Sequence, residues 1–178
     1  DAMNKGIKIS SGDIIGILNS DDTYTNNGVI QNVMDQFKNK SVDAVYGDLN
    51  YIDQNNNIIR KWRSGNYDRI LFLQGWMPPH PTFFIRREYY EKHGLYNTDF
   101  SISADYELML RMLYKHKLSC TYIPKVLVNM LTGGHSNSSL YKRWIANRED
   151  RKAWLVNDLK PELLTLWKKP LNKLMQYF

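Results

Sequence analysis

The apolar positions of the chain fall into short runs whose spacing alternates between the period of strands and that of helices. "IIGILNSDD" places Ile14, Ile15, Ile17 and Leu18 in one run, the pattern of a strand buried on both faces. Asn19 and Ser20 turn the chain, and Asp21 and Asp22 follow the strand's carboxyl end. Before it, "AMNKGIKIS" reads as a short helix with Ala2, Met3 and Ile7 on one face, ended by the turn residues of "SSGD". After it, "TNNGVIQNVMDQFKNK" carries Val29, Ile30, Val33, Met34 and Phe37 at three- and four-residue spacing, with Asn26 or Asn27 as cap. "VDAVYGD" is a second short strand. Strand, helix, strand is the alternation of an α/β sheet.

The next segments are more punctuated. "LNYIDQNNNIIRKWR" predicts a hairpin turning at Asp53 to Asn57. "YDRILFLQG" is a helical turn or two, and Gly75 with three nearby prolines makes a stiff loop before a strand at Thr82–Ile85. A short helix ends at Gly94. "SADYELMLRMLYKHK" is amphipathic, capped by Ser103 or Asp105, with Glu107 and Arg111 four apart on one face. "SCTYIPKVLVNML" supplies one or two strands around Pro124. From Leu140 the texture is helical, basic and aromatic, with Trp144, Trp154 and Trp167, punctuated by Pro161 and Pro170. The division expected is a domain over residues 1–139 and a helical tail over 140–178.

Composition adds bounds. A chain of 178 residues with 43% hydrophobic and 24% charged content suits one globular domain, two at most. Aromatics reach 13%, which suits either a core or a surface that meets sugars, membranes or partners. The formal charge of +6 favours phosphate-bearing partners without choosing among them. The basic residues are spread rather than striped and form no recognised nucleic-acid module, so nucleic acid is not an expected partner. Cys120 is the one cysteine, which excludes an internal disulfide and reads as core in a reducing compartment. No apolar run has the ~18–20 residues of a membrane span.

Several groups are candidates for chemistry. Asp21 and Asp22 offer oxygen ligands to a hard divalent cation, or close an Asx-type turn. Asp105, at a predicted helix N-terminus, is held ionised as a general base requires, and an N-cap needs the same residue there. "GGHS" brings His135 beside glycines that permit close approach to a ligand. "GWMPPHPTFF" presents Trp76 and His80 either to a substrate or to the core.

The order of these pieces is more specific than any one of them. A strand ending in "NSDD", a Gly/Pro loop with "HPTFFIRRE", then "HGLYNTDFSISADYELMLR" and "GGHS" resemble the catalytic half of a bacterial family-2 glycosyltransferase, over roughly Asp1 to Ser139. The resemblance implies a GT-A-like α/β/α sandwich with a mixed sheet. It places the family's Asp-x-Asp metal motif on Asn19, Ser20 and Asp21, with Asp22 next. It places the catalytic carboxylate on Asp105, here preceded by Ala104, and a late metal-binding histidine on His135. Asn19 stands where an Asp is common, which makes Asp21 the main ligand and Asp22 its support. Mg²⁺ or Mn²⁺, a nucleotide-sugar donor and a glycan or lipid-linked acceptor are implied with it, and Trp76, His80 and Asp22 are the substrate-binding candidates.

The implied reaction is inverting sugar transfer to a hydroxyl in bacterial surface polysaccharide synthesis. The implied location is the cytoplasm, with the Trp- and Lys-rich tail either on the inner face of the plasma membrane or packed on the domain. The family's first strands, which carry the nucleoside pocket, are expected to precede Asp1. Without them an exposed sheet edge invites pairing with another copy. The rival expectation is a non-catalytic membrane- or partner-binding module derived from such an enzyme.

Overall fold

In the computed structural model, which describes residues 1–132 and 140–160, one mixed sheet separates two helical layers. The helices are α1 (Ala2–Ile9), α2 (Val29–Phe37), α3 (Arg87–His93), α4 (Ala104–Met109) and α5 (Leu140–Val156). The strands are β1 (Ile14–Gly16), β2 (Thr23–Tyr24), β3 (Ala44–Ile52), β4 (Ile58–Trp62), β5 (Phe84–Arg86) and β6 (Cys120–Leu131). Their order is β1-β5-β3-β6-β2, and β4 pairs with β3. Only β3 and β6 run parallel among these pairs.

Alternation along the strands divides the core. Ala44 and Tyr46 of β3, Ile15 of β1 and Ile85 of β5 face one cluster with Ile7 of α1, Tyr90 of α3, Leu108 of α4 and Trp154 of α5. Val45, Leu49, Phe84, Ile123 and Leu127 face the other, beneath Val29, Val33 and Phe37 of α2. The expected tail helix is thus present as α5, and its Ala153 and Trp154 are fully buried in the first cluster.

Several boundaries differ from the sequence reading. The strand at "VDAVYGD" and the first hairpin arm are one nine-residue strand, β3. It passes through buried Asp48, whose carboxylate accepts from Arg63, the Ser64 N–H and Tyr122 Oη. The segment around Pro124 is likewise one strand. The register with β3 jumps from Gly47↔Ile123 to Asp48↔Val126, because proline has no N–H to give the ladder. The bulge presses on Gly47, where an added Cβ would lie 2.5 Å from Leu127 Cγ and 2.9 Å from Lys125 O.

β1 ends at Gly16, two residues earlier than expected, and is only partly covered: Ile15 is buried, Ile14 half-buried. Ile30 and Met34 are 45% and 42% exposed, so the buried stripe of α2 is narrower than its apolar pattern. In α1, Asn4 rather than Met3 joins Ile7 inside. Its amide exchanges hydrogen bonds with the Tyr96 backbone, accepting at 2.9 Å and donating at 2.8 Å. Thr82 closes a 3₁₀ turn, His80–Thr82, instead of opening β5.

Candidate functional site

Three loops at one end of the sheet bring Asn19, Asp22, His80 and Asp105 together. The first leaves β1. It closes as a turn in which the Asp22 N–H donates to Asn19 O at 3.1 Å. The Asn19 side-chain amide donates to Asp22 Oδ2 at 3.0 Å. The second loop is the Pro-rich stretch before β5. Thr82 Oγ1 donates toward Gly47 O at 3.1 Å and Pro79 O at 2.9 Å, which pins the short turn that starts at His80. The third is the start of α4, where the structure's N-cap is Ser103 and Asp105 lies in the first turn.

His80 joins the three. Its Nδ1 is 3.2 Å from Asp105 Oδ2, and its Nε2 is 3.5 Å from Asn19 Nδ2. The Asn19 amide already gives one hydrogen to Asp22, so its second faces Nε2 as an acceptor. In the neutral ring that arrangement puts the imidazole proton on Nδ1, toward Asp105. Asp105 Oδ1 accepts from its neighbour's N–H, that of Tyr106, at 2.8 Å. The carboxylate is therefore held at both oxygens.

Burial and charge set the protonation of these groups. Burial disfavours charge on His80, but the hydrogen bond and charge of Asp105, and the charge of Asp22, outweigh it and raise its pKa above the ordinary value. Burial is also the main influence on Asp22 and raises its pKa. The Asn19 hydrogen bond opposes that rise, while the charge of Asp21 adds to it. Asp22 is 5% exposed, and its Oδ1 has no partner of hydrogen-bond geometry among the described residues. The Leu131 N–H gives the weakest of the influences favouring its ionised form.

The other sequence candidates lie differently. Asp21 is exposed beside Asp22. Trp76 sits in an aromatic layer, edge-on to Tyr46 at 5.7 Å and to Phe72 at 5.9 Å, with its Nε1–H given to Ser64 O at 3.1 Å. Its polar edge is spent on backbone rather than joined to the Asn19–His80–Asp105 chain. His135 lies outside the described residues. Glu107 and Arg111 form a bidentate pair at 2.9 and 3.0 Å. Arg111 also binds the His93, Gly94 and Leu95 carbonyls, which ties α4 to the end of α3.

Sequence reasoning missed the link through His80 and the part played by Glu149 of α5. Its carboxylate accepts from the Ser101, Ile102 and Ser103 N–H groups just ahead of α4. Glu149 stands in the charged run "NREDRK", which carries no signal distinguishing it from a solvated face.

The fold defined by these layers is the α/β/α, mixed-sheet architecture of GT-A enzymes. Residues 1–115 match the family described as Glycosyl transferase family 2, and the chain belongs to that family. It is 26% identical to the "PGL/p-HBAD biosynthesis glycosyltransferase" of Mycobacterium bovis (strain BCG / Pasteur 1173P2), over 98% of this chain and 67% of that one. The same figures hold for the protein of that name from Mycobacterium tuberculosis (strain ATCC 25177 / H37Ra). Among solved structures it resembles S. aureus TarS, with a TM-score of 0.60 at 12% identity, a likeness of fold. That match covers 89% of this chain, which spans 28% of the TarS chain. No helix among the described residues is long and apolar enough to cross a membrane.

Proposed function

We propose that the chain forms the metal and acceptor side of an inverting, nucleotide-sugar-dependent glycosyltransferase, with Asp105 as general base and His80 orienting it. The hydrogen-bonded line Asp22–Asn19–His80–Asp105 carries this reading. It spans from the acidic turn to the carboxylate at the start of α4, the two places where donor and acceptor chemistry would be handled.

The donor set supports a hard divalent cation, Mg²⁺ or Mn²⁺. Asp21 and Asp22 are adjacent, and Asp22 Oδ1 is a buried oxygen with no hydrogen-bond partner among the described residues. Among the described residues no three His, Cys, Asp or Glu side chains cluster as ligands. Asp21 and Asp22, with the Asn19 carbonyl and His135, would hold the ion, and diphosphate oxygens and water complete such sites. When bound, the ion supplies positive charge against the departing nucleoside diphosphate. The chain's own residues do the rest. Asp105 takes the proton of the acceptor hydroxyl, whose oxygen bonds to the anomeric carbon from the face opposite the leaving group. The bond to the diphosphate oxygen breaks, its electron pair leaves with the diphosphate, and configuration inverts. His80, donating from Nδ1, holds Asp105 in place.

The mycobacterial relatives are named for PGL/p-HBAD biosynthesis. That name supports sugar transfer in a biosynthetic pathway; a glycan or lipid-linked acceptor in bacterial surface polysaccharide synthesis is our reading for this chain. Isothermal titration of the full-length chain with UDP or GDP tests the reading. Mn²⁺-dependent binding that is lost in Asp21→Ala is expected. Binding that ignores both Mn²⁺ and Asp21 would move the metal site elsewhere, and no binding at full length would favour a non-catalytic module.

A further inference from the structure

α5 lies beyond residue 115, where the family match ends, yet it grips the segment that carries Asp105. Glu149 Oε1 accepts from the Ser101 N–H at 2.9 Å and the Ser101 hydroxyl at 2.6 Å. Its Oε2 accepts from the Ile102 and Ser103 N–H groups, each at 2.8 Å. The Ser103 side chain makes no cap of its own on α4. Its hydroxyl donates instead to Ala146 O on α5 at 3.3 Å. A carboxylate borrowed from a distant helix therefore gathers the amides leading into α4.

The grip continues past Asp105. Trp154 Nε1 donates to Tyr106 Oη at 2.9 Å, and Asn157 Nδ2 donates to Glu107 Oε1 at 3.0 Å. Residues 101–103 and 106–107 are thus held, on either side of the carboxylate, from α5 and from Asn157 just past its end. α4 is six residues long before it widens into a π-turn, Leu110–Lys115. The two segments form one continuous helix over residues 104–115, a length at which a helix is only marginally stable without partners. We infer that α5 belongs to the catalytic apparatus, with Glu149 as the positioning residue that sets Asp105 against His80. This rests on Asp105 being the base. A base displaced by about 1 Å loses roughly 100-fold in rate, so the clamp would act on turnover rather than on donor affinity.

Glu149→Ala removes all four acceptor bonds, and Glu149→Gln keeps one acceptor oxygen. In the full-length chain, turnover is followed on whichever of the UDP-, GDP- or dTDP-hexoses the wild type consumes. The expected result is a kcat about 100-fold lower in Glu149→Ala, with Glu149→Gln between it and wild type and the donor KM unchanged within about twofold. The ¹⁵N signals of His80 provide a readout independent of activity. The Nδ1–H tautomer, set by Asp105, is expected to give way to a mixture in Glu149→Ala. A variant that melts earlier but keeps wild-type kcat and the wild-type His80 tautomer would overturn the proposal and leave Glu149 merely structural. If Glu149→Ala does not fold, Glu149→Gln decides by the same two readouts. Unchanged turnover in Asp105→Asn would instead overturn the base assignment, while the His80 tautomer still judges the clamp.

Discussion

Asp22 and Glu149 are both carboxylates drawn into the protein, and they leave ordinary acidity in opposite directions. Asp22 is buried with one side-chain hydrogen bond, an Oδ1 that has no partner of hydrogen-bond geometry among the described residues, and a like charge next door. Its pKa is raised, with burial as the chief cause. Burial pushes Glu149 the same way, but the hydroxyl and N–H bonds from residues 101–103 overcome it, and its pKa falls. A hydrogen bond to a charged group is worth about 1.5–3 kcal/mol, and a buried polar atom left without one costs about 1–3 kcal/mol. Among the described residues, the account closed at Glu149 is open at Asp22. A closed one holds the fold, whereas an open one leaves free energy that a ligand recovers on binding. Asp105 stands between them, reached from Asp22 through Asn19 and His80 and from Glu149 along the backbone.

The largest expected effect is at that midpoint. Asp105→Asn in the full-length enzyme should lower kcat by about 10²–10⁴-fold, with Mn²⁺-dependent nucleotide binding intact by titration. Near-normal turnover would break the comparison, because the two carboxylates would no longer flank a base. Next comes Asp22→Asn, which keeps the shape and an acceptor for Asn19 but removes the buried charge. A group whose folded pKa is raised contributes stability that is present below its unfolded pKa, near 3.8. That stability is lost as pH rises through the folded value. The variant has no such loss. In urea denaturation at pH 7 it should be more stable than wild type, with the gap closing near pH 3. Mn²⁺-dependent nucleotide binding should fall in the same protein. A destabilised Asp22→Asn chain would mean that the charge is satisfied in the fold and the contrast with Glu149 is false.

What was legible in the sequence follows the range of the forces involved. The β3–β4 turn was readable because it is local: Asp53 Oδ1 accepts from the Asn55 and Asn57 N–H groups, each at 2.8 Å. The α/β alternation and the helix ending at Gly94, whose φ is 89°, were readable for the same reason. Asp48 misled because its partners, Arg63 and Tyr122, are remote in the chain, so a mid-strand carboxylate looked like a strand end. Asn4 misled because the Tyr96 backbone draws a polar side chain inward. At the site, Asn19, Asp22, His80 and Asp105 each stood out by type and position, but no spacing rule announces a line joining residues 19, 80 and 105. Trp76 was weighed evenly between substrate and core, and its ring neighbours are other aromatics. Glu149 was invisible, since a surface charge run and a borrowed cap have the same composition.

The smallest effect sharpens the other half of the comparison. A carboxylate with a lowered folded pKa contributes stability that is present above its unfolded pKa, about 4.5 for glutamate. That contribution is lost as pH falls through the folded value. Wild type should therefore be more stable than Glu149→Gln at pH 6, and the difference should shrink as pH drops below about 4.5. It should vanish once Glu149 is protonated in both states. Thermal melts of the two proteins between pH 6 and pH 3 read this directly, because every other titrating group is shared and cancels in the difference. Amide exchange of residues 101–103 localises it: in wild type these amides should lose protection over that window, and in Glu149→Gln they should start with less and change little. A stability gap that stays constant with pH would show that the side chain's packing, not its charge, holds the loop. The hydrogen-bonded part of the clamp on Asp105 would then rest on the Ser103–Ala146, Trp154 and Asn157 contacts.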